Sequence, residues 1–423
     1  MALRILLTAA LALGAASAAP TALTPVAGAR DGDVVRMHAG ARTLTDAKGR
    51  RWRPAGARLD GRRAHIRRGL DITSSRRLYA TIALGTRRAR LRVGRPGRYA
   101  VTLYLAEPGR PSRTRTFDVS APGVTRRVDI PVGSTLQRPV HAAFETVVRG
   151  RSLTLRFRAV HGRPAVAAVE VQRLGPARMA PISRQFKESF AGPAGRAPDP
   201  RAWEVMTGYG WGPDQVQAYT DRPANVALDG AGRLVITARR EAYVDAKGNP
   251  AAYTSGRVES RGAVSLTRAR LEARVQPPEG RGLWSTFWAA GVEPPAWPAS
   301  GEIDIMEIVG ARPHLLYGFV HGPFHEGSPA PYQNGATLHR RGSFADAPHT
   351  FGIRTEPGVV EFYADGRRYG SVSLADIPRK APWLLDRPYR VVFNVALGGF
   401  GGTVSDATAF PARMTVDYVS LWR

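Results

Sequence analysis

The segment WPASGEIDIMEIVG, Trp297 to Gly310, places Glu302, Asp304 and Glu307 within six residues of a 423-residue chain whose formal net charge is +27. In a regular strand the side chains alternate, so Glu302 and Asp304 share one face and Ile303 and Ile305 the other. Glu307 lies at i+5 from Glu302, where a regular strand sends it to the opposite face. One extra residue near Met306 returns it to the face of the other two, and such bulges gather beside active sites. Three adjacent carboxylates repel, and their pKa values spread apart. One carboxyl can then stay protonated as an acid while another is ionised as a nucleophile. Two glutamates leaning together approach the roughly 5–5.5 Å separation of a retaining glycosidase pair. On spacing alone an exposed acidic strand edge is the alternative. Trp297, which opens the segment, and Trp284 and Trp288 before it add flat apolar faces of the kind that suit sugar rings, although each could equally be core.

Strands must position these groups, and the sequence is rich in strand signals. In RYAVTLYL, Tyr99, Val101, Leu103 and Leu105 alternate with the residues between them; SLTLRFRAV and RLEARV repeat the period. Asp365-Gly366 between two strand-like runs marks a hairpin. The 45 glycines and 33 prolines punctuate many short elements, and no long amphipathic helix or internal repeat stands out. The class is all-β, built from sandwiches. Residues 175–184, GPARMAPISR, break the pattern and read as a linker between domains at 31–174 and 185–423.

The N-terminus reads as a secretory signal over residues 1–18: Arg4, an apolar run, then Ala16-Ser17-Ala18 before the cut. The mature protein is expected to be secreted, soluble and monomeric. The chain has no cysteine, which excludes disulfides, thiolate metal sites and a cysteine nucleophile. Residues 31–174 hold 31 Lys and Arg against 10 Asp and Glu, a net of +21. That excess suits an anionic wall or polysaccharide surface. Nucleic acid is not expected, because the arginines lack an interleaved aromatic platform.

The segment GEIDIMEIVG resembles the active-site signature of glycoside hydrolase family 16 in its bulged form, Glu-x-Asp-x-x-Glu. GWGPDQVQAYTD, GRLVITARRE, RLEARVQPPEGRGLWSTFW, YGFVHGP, FNVALGG and MTVDYVSLW follow in the family's order. The likeness covers 185–423 and is closest to laminarinase-type members. It implies a β-jelly-roll sandwich with a substrate groove. It also implies Glu302 as nucleophile, Asp304 as the residue that orients it and Glu307 as general acid/base. Trp211, Arg257, Trp284, Trp288, Trp297, His321 and Asn394 match groove positions. Glu188, Gly230 and Asp417 match the positions that hold a structural calcium in relatives; no cofactor is implied for catalysis. Two positions depart from the pattern: Gln215 replaces a usual Glu, and GGFGG replaces a Gly-Gly-Asn-Trp, with Phe400 a partial substitute.

Residues 31–174 resemble a malectin-like carbohydrate-binding domain, with Tyr79 and Tyr104 as the remaining candidate aromatics. The expectation is a secreted retaining endo-β-glucanase acting on β-1,3- or mixed β-1,3/1,4-glucan. The alternatives are a hydrolase of another polysaccharide, such as agar or carrageenan, and a non-catalytic glucan-binding protein. The presence of both glutamates argues against the latter.

Overall fold

Two hydrophobic cores form along the chain, one from residues between Met37 and Val171 and one from residues between Phe190 and Leu421. The computed structural model describes residues 33–423 except 47–48, 67–75, 110–113, 131–138, 177–183, 325–329, 357, 375, 379–380 and 386. The expected signal at 1–18 lies outside these residues, as does most of the expected linker. The ends of that linker are strand: Gly175 closes Ala168–Gly175, and Arg184 opens Arg184–Glu188. The second module's sheet therefore begins one residue before the expected boundary at 185.

The second module is a sandwich of two sheets. One runs in the order Trp203–Met206, Arg257–Ser260, Pro388–Leu397, Leu283–Gly291, Glu302–Val309, Leu315–Phe324, Pro331–His339. The other centres on Ala412–Trp422 and Arg270–Gln276 and ends with His349–Glu356, Val359–Ala364 and Arg367–Ser373. Alternation decides which side faces the core. Leu271, Ala273 and Val275 point inward from one sheet and meet Ile303, Ile305 and Ile308 from the other. Burying each isoleucine contributes roughly 1.5–3 kcal/mol. Asp365 and Gly366 both adopt positive φ in the tight turn of the expected hairpin, a conformation the Asp-Gly pair tolerates.

The first module stacks a sheet containing Val140–Val148, Gly97–Leu105 and Ala168–Gly175 against a four-stranded sheet. That second sheet runs Arg88–Arg92, Ser152–His161, Arg115–Ala121, Val124–Ile130. The edge strand Val140–Val148 is buried on both faces, because its outward side meets Val359–Ala364 and Arg367–Ser373 of the second module. There Arg126 bonds Glu361, and its guanidinium also donates to the Tyr363 hydroxyl at 2.6 Å. Arg368 reaches Glu361 at 3.2 Å, the Asp129 carbonyl at 2.6 Å and the His141 carbonyl. The His141 N–H donates to Ser371 Oγ at 2.8 Å, and its ring lies 3.2 Å from Asp376. Arg268 pairs with Glu145. Residues 31–423 consequently form one compact unit.

Burial within the first module changes the reading of the expected sugar-stacking aromatics. Tyr79 and Tyr104 are fully buried, Tyr79 bonded to His141 at 2.5 Å and Tyr104 donating to Glu170 at 2.7 Å. Their hydroxyls are bonded within the protein and their rings pack against each other and His141, so neither can stack on a ligand.

Candidate active site

The acidic strand Glu302–Val309 lies between Leu283–Gly291 and Leu315–Phe324. Gly301 precedes it with φ +88, and a side chain there would meet the Tyr389 hydroxyl and Leu384. Glycine is therefore what lets the chain turn tightly into the strand. On one side Ala290, Trp288 and Thr286 sit opposite Glu302, Asp304 and Glu307; on the other side His321, Phe319 and Tyr317 do. The register shifts by one residue between Asp304 and Glu307 against both neighbours. Ile305 and Met306 are both in the core. The three acids thus belong to the outer face, and the apolar residues between them anchor the strand.

Each acid has its own contacts. The Trp284 indole N–H donates to Glu307 Oε1 at 3.0 Å. His321 Nε2 lies 2.8 Å from Asp304 Oδ2 and 3.9 Å from Glu302 Oε1. The Trp297 indole bonds Glu302. Burial, reinforced by the charge of Asp304, pushes the Glu302 carboxyl up to about 8. Burial also raises Asp304. Glu307 is raised well above the usual carboxylate range by burial first and by the charge of Asp304 next. The cluster therefore holds protons at neutral pH, and Glu307 is the group fitted to donate one. Glu302, Asp304 and His321 offer ligand atoms within 4.8 Å of one another, the only such trio among the described residues.

Rings line the rest of the face. Arg257 lies between Trp211 and Trp288, 4.6 and 4.9 Å from the ring centres, and Glu259 holds its guanidinium at 2.6 Å. At the Glu307 end, Phe400 meets Trp284 and Tyr317 edge-on at 5.7 and 5.2 Å. Trp297 is 54 % exposed and Phe400 43 %, which leaves both faces open to a ligand.

The family model for glycosyl hydrolases family 16 matches residues 211–420. A beta-glucanase from Rhodothermus marinus is 34 % identical over 237 residues, covering 53 % of this chain and 80 % of the relative. The chain belongs to glycosyl hydrolase family 16. Among solved structures, the endo-beta-1,3-glucanase from Pyrococcus furiosus is 32 % identical. It superposes with a TM-score of 0.51 over 57 % of this chain and 94 % of that one. The catalytic domain of an endo-1,3-beta-glucanase (laminarinase) from Thermotoga petrophila gives a TM-score of 0.52 at 30 % identity, over 58 % and 99 %. The protein is a glycoside hydrolase with the all-β sandwich fold of this family, whose chemistry needs no catalytic cofactor.

Within that frame the structure sorts the expected groove residues. Trp211, Arg257, Trp284, Trp288, His321 and the acids share one face. Asn394 does not offer its amide to a substrate as expected. Its Oδ1 accepts from Thr286 at 2.7 Å and Trp288 at 2.8 Å, and its Nδ2 reaches the Tyr219 hydroxyl at 3.2 Å. It is buried and holds Trp288 in place. Gln215 accepts from Gln217 at 2.8 Å beside the Gly398 turn. Sequence reasoning missed Tyr317 and Glu259. Glu259 sits two residues from Arg257 on one strand face, a signal that could have found it; Tyr317 shows only in the register.

The family also implies calcium at Glu188, Gly230 and Asp417. Glu188 already accepts from the Phe190 N–H at 2.7 Å and from Trp203 at 3.3 Å. Asp417 is bonded by Arg274 through one oxygen, while its other oxygen is buried without a partner. That orphaned oxygen is of the kind a calcium ion takes. The adjacent guanidinium already balances the carboxylate charge.

Proposed function

We propose that the protein is a secreted, retaining endo-β-1,3-glucanase that cleaves by double displacement, with mixed β-1,3/1,4-glucan as a second substrate. The observation that carries this reading is the gathering of half-buried Glu302 with buried Asp304 and Glu307 on one strand face beside tryptophans, in a chain whose relatives include beta-glucanases. In the first step Glu307 gives its proton to the glycosidic oxygen while Glu302, in the fraction of molecules where it has lost its own proton to solvent, attacks the anomeric carbon. The glycosyl–Glu302 ester forms and the leaving chain departs with the proton. In the second step Glu307, now a carboxylate, takes a proton from water. That water attacks the same carbon and frees Glu302 with net retention. Asp304, close to His321, orients Glu302 and spreads the pKa values of the pair. The Trp284 N–H on Glu307 fixes the acid's orientation.

Incubation with laminarin, lichenan, curdlan, agarose and carrageenan tests the substrate. Release of reducing ends from laminarin first is expected, and hydrolysis of galactans alone overturns the reading. Proton NMR of the first product anomer tests retention.

A further inference from the structure

The four-stranded sheet of the first module has an outer face that the glucanase reading leaves unused. On Arg88–Arg92 the inward residues are Ala89 and Leu91, so Arg88, Arg90 and Arg92 point outward. On Ser152–His161, Leu153, Leu155 and Phe157 are inward, and Thr154, Arg156 and Arg158 outward. Pairing places Arg156 directly opposite Arg88, and Thr154 opposite Arg90. Like charges directly opposite on a sheet are destabilising. The guanidinium groups of Arg88, Arg90, Arg92 and Arg156 have no hydrogen bond or ion pair among the described residues. Successive arginines on one strand stand roughly 6.6 Å apart and neighbouring strands about 4.8 Å apart, which makes a flat cationic grid.

The face contains two carboxylates, Asp118 and Asp129, and Asp118 shows how the grid grips an oxyanion. Asp118 receives Arg127 through both oxygens, at 2.9 and 3.3 Å, and Arg158 through the second, and the two arginines hold it ionised. Planar guanidinium forks bind carboxylates in this two-pronged way, and lysine does not. The other outward positions include Thr116, Ser120, Thr125, Ser152 and Thr154, whose hydroxyls suit sugar hydroxyls. No aromatic residue stands among them, so a nucleobase finds no stacking platform.

We infer that this arginine face is a second polysaccharide site, distinct from the catalytic face, and that it binds a linear polymer bearing carboxylates, of the polyuronate kind. The inference does not rest on the glucanase assignment. It gives the charge excess of residues 31–174 a defined place and a ligand chemistry.

The test uses the full chain and polygalacturonate as the probe. Retention in an affinity gel is expected at low salt and release near 0.5 M salt, since exposed pairs are screened within about 8 Å already at 0.15 M. The variant carrying Arg90→Thr, Arg92→Thr and Arg156→Thr should bind at least tenfold more weakly. Its laminarin turnover and melting temperature should be unchanged, since threonine suits exposed strands. If the triple variant melts early, each single substitution should still weaken binding about twofold. Three outcomes overturn the inference. One is equal binding by wild type and the variants. Another is equal binding of the fully methyl-esterified polymer. The third is displacement of polygalacturonate by an equal charge of duplex DNA, which marks a nucleic-acid surface instead.

Discussion

Glu307 and Glu361 are both buried carboxylates on strands of the same sandwich, in opposite settings. Glu307 has a neutral indole N–H and two other acids around it. Glu361 has Arg126, Arg368 and the Tyr363 hydroxyl. The first arrangement leaves charge uncompensated, so the carboxyl keeps its proton and can hand it over. The second compensates charge across two modules separated by more than 200 residues of chain, and so it joins surfaces. Burial alone therefore does not make a carboxylate reactive; the identity of its partners does.

The largest expected effect lies on the reactive side. Glu302→Gln should abolish nearly all laminarin hydrolysis, and Glu307→Gln should cost about 10²–10⁴-fold in kcat. The two should diverge on an activated aryl glycoside, whose leaving group needs no proton. There Glu307→Gln should be rescued by azide and Glu302→Gln should not give a retained product. Azide rescue of Glu302→Gln with retained configuration reverses the roles. Asp304→Asn should cost less than either.

On the adhesive side, Glu361→Gln leaves Arg126 and Arg368 buried without their counter-charge. Breaking such a pair costs about 3–5 kcal/mol, read as a lower midpoint in urea. Laminarin turnover at 25 °C should survive. A catalytic loss as large as that of Glu307→Gln would erase the contrast between the two regions. By the same reasoning the isolated second module, residues 184–423, should melt below the full chain, because its docking face then carries orphaned charge.

A third expectation concerns pH. Glu302 folds with its carboxyl raised to about 8 against an unfolded value near 4.3. The folded state therefore holds a proton that the unfolded chain releases between those values. The stability this contributes is complete below about pH 4.3 and is lost as pH rises through 8. Glu302→Gln removes the titration, so the variant should gain stability over wild type as pH climbs from 4.5 to 8. A melting difference that stays flat across this window contradicts the raised carboxyl.

The smallest effect belongs to Asp417, which has one oxygen paired and one orphaned and so stands between the two regimes. Calcium held there should raise the melting temperature by a few degrees and EDTA should reverse it, with Asp417→Asn abolishing the response. Indifference to EDTA shows that Arg274 alone satisfies this carboxylate.

Period-two alternation made the acidic strand and its core anchors legible from sequence, because one residue in two must face the core. The groove tryptophans were legible through the family likeness. The interface was not. Arg126 and Glu361 lie 235 positions apart, and nothing local to either distinguishes a docked charge from a solvated one. Tyr79 and Tyr104 likewise read as ligand aromatics, because their partners His141 and Glu170 lie more than 60 positions away. Asn394 carried a groove signature, yet its partners Thr286, Trp288 and Tyr219 come from two other strands.

The docking of the first module through Arg126, Glu361, Arg368 and His141 also sets how the protein works on a solid. A catalytic module on a loose tether grazes everything within a circle. Two modules that turn as one body hold the cutting groove at a single offset and bearing from wherever the first module lands. Digestion of a composite wall should then start as short cuts in register with the polyuronate strands, and atomic force images of partly digested wall should show parallel scoring in place of round pits.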